Sequence, residues 1–311
     1  ASFVKLDITP HGFHAMIMRP GKSTIYIDPV IKGNTNLYIA YEKNSLITNK
    51  VKNCSFTNVL EDLDNAKILT SGIVKNYGTC ELRTYRLALS ATGEYTNFHG
   101  GTVAQSLSAQ VVTMNRVNGV FEQDMAVTMV IIPNNNLIIY TNTATDPFSN
   151  GQAGTMLGEN QSNTDAVIGS ANYDIGHVFG TNSGGVAGLG VVCSNGNKAR
   201  GVTGSGAPIG DAFDYVAHEI GHQFGGNHTF NNFCGGARAN AVAFEPGSGS
   251  TIMAYAGICA PNVQNNSDDH FHGASLQEFS FEIASAGHTC EAITSLSNSA
   301  PIISSVNGGI T

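Results

Sequence analysis

Charged side chains are scarce in this sequence of 311 residues, and basic ones are the scarcest. Lys and Arg together number 15 against 23 Asp and Glu, which gives a formal net charge of −8, and charged residues make up only 12% of the chain. The basic residues form no cluster. Because binding to nucleic acids and to anionic membrane surfaces depends on clustered Lys and Arg, we expect neither as a partner.

Long apolar runs are missing as well. The run 126–132 is among the longest and falls far short of the roughly 18 residues that a membrane-spanning helix needs. Residues 1–5 do not begin a basic segment followed by an apolar one, so we expect any signal peptide to have been removed already or to lie outside these residues. No interaction with a membrane is predicted.

The motif C-x-x-C is also absent, which argues against a zinc site built from cysteines. The chain nevertheless has an even number of cysteines, and it is rich in Asn, Ser and Gly. This combination favours disulfide bonds and a secreted, extracellular protein, with six reduced cysteines as the alternative. The six are Cys54, Cys80, Cys193, Cys234, Cys259 and Cys290.

One stretch carries clear chemistry, and it begins on a predicted helix at 211–225. Apolar residues recur there at helical spacing and should face the core. They are Phe213, Val216, Ala217, Ile220 and Phe224. His218 and His222 are four residues apart and therefore lie together on roughly the opposite side, with Glu219 beside them.

The residues after this helix complete a candidate metal site. Gly225 can adopt a positive φ, which would end the helix and turn the chain, so that His228 approaches from another direction. Three imidazoles suit Zn²⁺, which binds such nitrogens tetrahedrally. Because three protein ligands leave one position for water, His218, His222 and His228 predict a catalytic zinc site.

The stretch 218–228 resembles the metzincin clan of zinc endopeptidases, whose motif is H-E-x-x-H-x-x-G-x-x-H followed by a methionine turn. Met253, within the segment 251–255, lies 25 residues after His228. The resemblance implies an α/β (α+β) catalytic domain over about 80–293, with a twisted mixed sheet, an active-site helix, and a C-terminal subdomain that carries the methionine turn and the last helix. It also implies that Met253 forms an apolar floor beneath the metal.

Residues 173–179 and 185–193 resemble the approach to the zinc helix in the reprolysin-like, or adamalysin-like, branch, as found in secreted bacterial proteases. In that branch a Gly-Leu strand pairs with an extended substrate, which here points to Gly188 and Leu189 within a strand over 186–191. The same resemblance implies a Cys193–Cys290 disulfide. We also expect a Cys234–Cys259 disulfide, which would brace the loop after His228.

Two positions resemble other branches. Thr229 stands where reprolysins usually carry an acidic residue, and Thr229 followed by Phe230 is more similar to pappalysins. Tyr255 is similar to a tyrosine of astacins, serralysins and pappalysins that can approach the metal. This resemblance implies that Tyr255 helps to hold the oxyanion; a tyrosine that only packs under the loop is the alternative.

Elsewhere, alternating and apolar runs predict strands. They fall at 13–18, 23–27, 37–41, 82–90, 125–132, 137–140, 175–179, 186–193 and 198–203. One helix is predicted at 103–121, and another begins at Ser275, where Ser275 and Glu278 form a capping box. The segment 133–164 is predicted to be a solvated loop, because its Asp and Asn side chains could bind Ca²⁺ but lack the spacing of a calcium loop.

The resemblance, together with this pattern of elements, implies three parts. A small β-rich N-terminal pro-segment and connector occupies 1–79, the catalytic domain 80–293, and a linker into a further module 294–311. The pro-segment could bind the cleft in cis. The resemblance to metzincin pro-segments makes Cys54 the candidate for a thiolate latch on the zinc, and a Cys54–Cys80 disulfide is the alternative.

The predicted function is a secreted zinc endopeptidase, in an active or a latent pro-form, that hydrolyses peptide bonds of proteins or peptides and acts as a monomer. Glu219 would take a proton from the zinc-bound water and pass it to the leaving amine. The alternative is a non-catalytic or permanently latent metal-bound adhesion module.

Overall fold

The computed structural model describes residues 2–47, 80–182, 184–205, 212–285 and 288–297. Cys54 lies outside these residues. The chain opens with a four-stranded antiparallel sheet in which each strand pairs with the next along the sequence. Its strands are β1 (Phe3–Thr9), β2 (Gly12–Arg19), β3 (Lys22–Pro29) and β4 (Tyr38–Glu42).

A second, mixed sheet forms the centre of the molecule. Its strands are β5 (Glu81–Ala91), β6 (Val127–Ile131), β7 (Ile175–Phe179), β8 (Gly184–Ala187), β9 (Gly201–Gly204) and β10 (Ala292–Ser295). The order is β10-β5-β7-β9-β8, and β6 also pairs with β5. The pairs β5–β6, β5–β7 and β7–β9 are parallel, whereas β8 and β10 run antiparallel to their neighbours. The sheet therefore has a parallel centre, and β8 is an edge strand.

Five α-helices accompany this sheet in the described residues. They are α1 (Gly93–Phe98), α2 (Val103–Met125), α3 (Ala153–Val167), α4 (Ala212–Gln223) and α5 (Gly273–Ala284). The longest, α2, connects β5 to β6; the Thr102 side chain caps its start, and Ala126 in the left-handed region ends it. None of these helices is both long and apolar enough to cross a membrane.

Two predictions for 133–164 were wrong. Residues Asn135–Ile138 form a 3₁₀-helix where a strand was expected at 137–140. The segment also includes most of α3, which runs on to Val167. This helix was not predicted because its buried face is partly polar and shows no apolar stripe. On that face, Asn160 donates a hydrogen bond to the Ala199 carbonyl and Gln161 accepts one from the Ala199 N–H, so polar side chains take the place of packing ones.

Two other boundaries differ from the prediction. Strand β8 ends at Ala187, and Leu189 lies in a turn, although a strand was predicted over 186–193. Helix α5 starts at Gly273 and not at Ser275, because the His272 side chain caps it.

Buried charge pairs fasten the N-terminal sheet to the rest of the chain. On α2, Arg116 is 1% exposed and donates to Asp28 of β3 over 2.5 Å. Lys43, just after β4, pairs with Asp214 in the first turn of α4 and with Asp269. Burial would lower the pKa of Lys43, but the two carboxylates outweigh it and raise that pKa. Separating these pairs would leave a buried charge without its partner, which is costly. The pairs therefore hold the N-terminal sheet firmly against α2 and α4.

Candidate metal centre

Helix α4 presents two histidines to the interior of the molecule. Its apolar face is buried as predicted, with Phe213, Val216, Ala217, Ile220 and Phe224 at most 3% exposed. One turn apart on the other side, His218 and His222 place their Nε2 atoms 3.1 Å from each other. The regular rise of the helix therefore sets the first edge of the site.

The third histidine arrives after a sharp turn. Gly225 has φ +89°, a conformation that favours glycine, and α4 ends just before it. The Nε2 atom of His228 then lies 3.2 Å from that of His218 and 3.1 Å from that of His222. Nitrogens bound tetrahedrally to zinc at 2.0–2.1 Å would be about 3.3 Å apart. The three nitrogens thus match one face of a zinc tetrahedron.

Each imidazole is oriented by a backbone carbonyl. The Nδ1–H of His218 donates to Ile252 O over 2.7 Å, that of His222 to Gly226 O over 2.7 Å, and that of His228 to Ala237 O over 2.6 Å. A carbonyl can only accept, so in each neutral ring Nε2 carries the lone pair. Three acceptors that converge in this way fit a cation at their centre, as in metal sites where the second nitrogen of the ring is held by a carbonyl.

Burial favours the neutral form of an imidazole, which is the form that binds a metal. The three histidines are at most 4% exposed. Burial, followed by the neighbouring His218, lowers the pKa of His222 well below its ordinary value, and burial followed by His222 does the same to the pKa of His228. Among the described residues, these three histidines are the one group of His, Cys, Asp or Glu side chains placed to share a metal ion.

Glu219 is fully buried and its carboxylate lies against strand β8. A Cβ placed on Gly185 of that strand would overlap the carboxylate. The carboxylate therefore lies between the helix that carries two of the histidines and the edge strand of the sheet. This position suits a proton acceptor that serves a substrate lying along that edge.

Comparison with known proteins identifies the family. Residues 81–282 match the model of the reprolysin-like metallopeptidases, family M12B, and this match covers more than half of the chain. The chain belongs to this family. The expected metzincin relationship and the mixed α/β fold are thereby confirmed, and so is metallopeptidase as the class of enzyme.

Other comparisons add little to this family assignment. No curated protein sequence matches the chain. One solved structure with some likeness is described as "Structure of a chaperone-substrate complex"; the sequences are 13% identical, the TM-score is 0.36, and the alignment covers 65% of this chain and 36% of the other. The chain thus spans about a third of that structure's length, and so loose a likeness carries no argument about fold or function.

The methionine turn of this reprolysin-like chain lies against the zinc helix. Met253 is fully buried, and a Cβ on Gly221 of α4 would overlap its sulfur. The Tyr255 ring lies 4.7 Å from that of His228 and 5.8 Å from that of His218, measured between centroids. Met253 thus packs against the helix that carries two of the histidines, Tyr255 lies beside His218 and His228, and the two roles considered for Tyr255 both stay open.

Two disulfide bonds were predicted and both are confirmed. Cys193 bonds to Cys290, and Cys234 bonds to Cys259. The second encloses the methionine turn within its loop of the chain. Cys54 lies outside the described residues, so the latch stays a prediction.

Sequence reasoning missed two buried carboxylates on either side of His228. Glu278 of α5 accepts hydrogen bonds from the backbone N–H and the side-chain amide of Asn227, over 2.9 and 2.7 Å. Glu245 accepts a hydrogen bond from the hydroxyl of Thr229. Glu278 had been assigned to a capping box. Glu245 is the one acidic residue in the Gly- and Asn-rich stretch 231–250. Its isolation there is the sequence signal that could have identified it.

Proposed function

We propose that this metallopeptidase is a secreted zinc-dependent endopeptidase that hydrolyses peptide bonds in proteins or peptides. The observation that carries the proposal is the convergence of three Nε2 lone pairs, from His218, His222 and His228, beside the buried carboxylate of Glu219. Bound zinc would supply Lewis-acid chemistry, which acidifies a water molecule and polarises a carbonyl group.

Glu219 is the group that moves the proton. As a carboxylate it accepts a proton from the attacking water, and as the acid it returns this proton to the leaving amine. Tyr255 can donate a hydrogen bond to the oxyanion as that charge develops, provided that its hydroxyl turns toward the substrate.

Strand β8 is the place where an extended substrate would pair. It lies at the edge of the sheet, and no other described strand pairs with its outer side. Gly188 follows the strand, and its N–H donates to Arg200 O over 2.8 Å, which extends the β8–β9 pairing by one residue. We therefore expect Gly184–Ala187 and Gly188 to bind the substrate backbone by strand addition, whereas Leu189 lies in a turn.

Secretion is supported by the two disulfide bonds, which persist in oxidising compartments. Latency is a separate proposal. The described part of the N-terminal segment, residues 2–47, bonds to α2, α4 and the loop around Asp269. A permanently latent or adhesive protein is the alternative, and the firm attachment of this sheet is the observation that favours it.

The decisive experiment measures cleavage of an unstructured protein substrate together with zinc content. Chelation should abolish cleavage, and added zinc should restore it. Glu219→Ala should lower kcat by about 10²–10⁴-fold, because the proton acceptor is lost while the three ligands remain. Glu42→Ala, on the exposed end of β4, is the matched control and should cleave normally.

Two results would contradict the proposal. Cleavage that survives complete removal of metal would exclude zinc chemistry. Near-normal turnover in zinc-loaded Glu219→Ala would exclude Glu219 as the proton acceptor. A chain that binds zinc but cleaves nothing, before or after limited proteolysis, would favour the latent or adhesive alternative.

A further inference from the structure

One buried carboxylate joins the two loops that complete the metal site. Glu245 is 6% exposed. Its Oε2 atom accepts hydrogen bonds from the hydroxyl of Thr229 and, over 2.6 Å, from the hydroxyl of Thr251. Its Oε1 atom accepts from the backbone N–H of Ser250 over 2.8 Å and from that of Thr251 over 3.0 Å. We call these four residues the Glu245 cluster.

The backbone of Glu245 strengthens the link to the chain after His228. The N–H of Glu245 donates to Thr229 O over 2.8 Å, and the N–H of Asn231 donates to Glu245 O over 2.9 Å. The two loops also bond directly, since the N–H of Thr229 donates to Met253 O over 3.2 Å. Glu245 is thus held in place by its own main chain while its side chain reaches across to the methionine turn.

The cluster lies next to two metal ligands but not to the third. Thr229 directly follows His228 in the chain. Thr251 directly precedes Ile252, whose carbonyl accepts the Nδ1–H of His218. His222, in contrast, is oriented by Gly226 O, which belongs to the turn at the end of α4.

The charge on Glu245 agrees with this arrangement. Burial alone would raise the pKa of Glu245, but hydrogen bonds from Ser250, Thr229 and Thr251 outweigh it and lower that pKa. The side chain is therefore an ionised carboxylate at neutral pH, and all four of its bonds are charge-assisted, the stronger kind of hydrogen bond. A carboxylate of this kind can hold two loops in one relative position.

We propose that Glu245 is a positioning residue of the metal site. It fixes the position of His218 through the methionine turn and that of His228 through Thr229, whereas helix α4 and the turn at its end position His222. This inference rests on the proposed zinc site. Partners outside the ligand shell contribute about 10–100-fold to metal affinity in comparable sites. Glu245 is thus expected to raise the affinity for zinc without touching the metal or the substrate.

The test compares zinc binding with the stability of the metal-free protein. Zinc affinity would be measured by competition with a chromophoric chelator, and stability by the Tm of the metal-free chain. Glu245→Gln should weaken zinc binding about 10–100-fold. Thr229→Val removes one hydroxyl at constant shape and should weaken binding by a smaller factor, and Thr229→Ser should restore it.

Thr113→Val is the matched control. Thr113 is equally buried, and its hydroxyl donates to Ala109 O over 3.0 Å within α2, far from the cluster in the chain. This variant should bind zinc like the unaltered chain. In the zinc-loaded Glu245→Gln protein, the imidazole Nδ1–H resonances of His218 and His228 should shift, whereas that of His222 should not.

The outcomes separate the inference from the proposal on which it rests. Unchanged zinc affinity in both Glu245→Gln and Thr229→Val would overturn the positioning role, and so would equal shifts of all three imidazole resonances. If Glu245→Gln does not fold, Thr229→Val alone decides. Failure of the unaltered chain to bind zinc would overturn the metal site itself, and the role of Glu245 with it.

Discussion

The two halves of the metal site are built by different means. In the helix half, His218, Glu219 and His222 come from one regular helix, and their spacing along the sequence sets their relative positions. In the loop half, His228 and Met253 come from irregular segments that are held by long-range contacts. Local geometry therefore determines the first half, whereas the second depends on side chains that are distant in sequence.

The disulfide bonds test this difference with the largest expected effect. Cys234–Cys259 closes a loop with a sequence separation of 25, and its removal by Cys234→Ser with Cys259→Ser should lower the free energy of unfolding by about 3.5 kcal/mol in the chain-entropy model. The loop contains Glu245 and Met253, so the variant should also bind zinc more weakly. Urea unfolding and chelator competition measure the two effects.

The other disulfide provides the control. Cys193–Cys290 spans a separation of 97, so its removal should cost more stability, about 4–5 kcal/mol, but neither of its cysteines belongs to the loop half, which lies wholly between them in the sequence. The loss of stability should thus increase with the length of the loop that the disulfide closes. The loss of zinc affinity should depend instead on whether the disulfide lies in the loop half. If both double variants lose zinc affinity equally, the loop half does not depend on its own disulfide.

The sequence predicted the helix half almost completely, and the reasons are physical. The 3.6-residue period of α4 and the glycine that ends it are local signals, so the buried face and the histidine pair could be inferred from a dozen residues. Strand β5 was equally clear from its alternation, with Tyr85, Leu87 and Leu89 on one side, and β7 was predicted from a short, mostly apolar run.

The loop half was predicted only in part, from the glycine before His228, the positions of the cysteines and the family resemblance. His228, Met253 and both disulfides were named, but the carboxylates that hold them were not. Glu278 was interpreted as part of a local capping box, whereas its carboxylate binds Asn227. No local pattern distinguishes these two uses of a glutamate, because the second depends on tertiary structure. Helix α3 was missed for the same reason, since its buried polar face bonds to Ala199.

Glu278 offers a second test, through pH. Burial raises the pKa of Glu278 to about 7, although the hydrogen bonds from Asn227 act to lower it. The folded chain therefore binds more protons than the unfolded chain between about pH 4.5 and 7, and stability should fall as the pH rises through this window. The contribution is on the order of 3 kcal/mol.

Glu278→Gln should remove this contribution, because its side chain does not titrate. Urea unfolding of the metal-free protein at pH 5 and pH 8 measures the effect as a difference between the variant and the unaltered chain, in which the histidine titrations that are common to both cancel. An identical pH dependence in the two proteins would show that Asn227 is bound to an ordinary carboxylate, and the contrast between the two halves would then lose one of its supports.

The last test addresses the helix half, with the smallest expected effect. A Cβ on Gly185 would overlap the carboxylate of Glu219, so Gly185→Ala should displace that carboxylate from its place beside β8. Because a misplacement of about 1 Å can cost on the order of 10²-fold, kcat should fall about 10–100-fold. Zinc affinity should stay unchanged, since carbonyls outside β8 orient all three histidines.

Gly158→Ala is the matched control for this variant. Gly158 lies inside α3 with open space around the position of a Cβ, so the substitution should leave kcat unchanged and should stabilise the helix by about 0.5–1 kcal/mol. The comparison is informative only if Gly185→Ala keeps its zinc and its Tm, which shows that the strand is still in place. Full turnover under those conditions would mean that the Glu219 carboxylate can move without loss of function. Helical spacing alone would then suffice to place the proton acceptor, without the contact to β8.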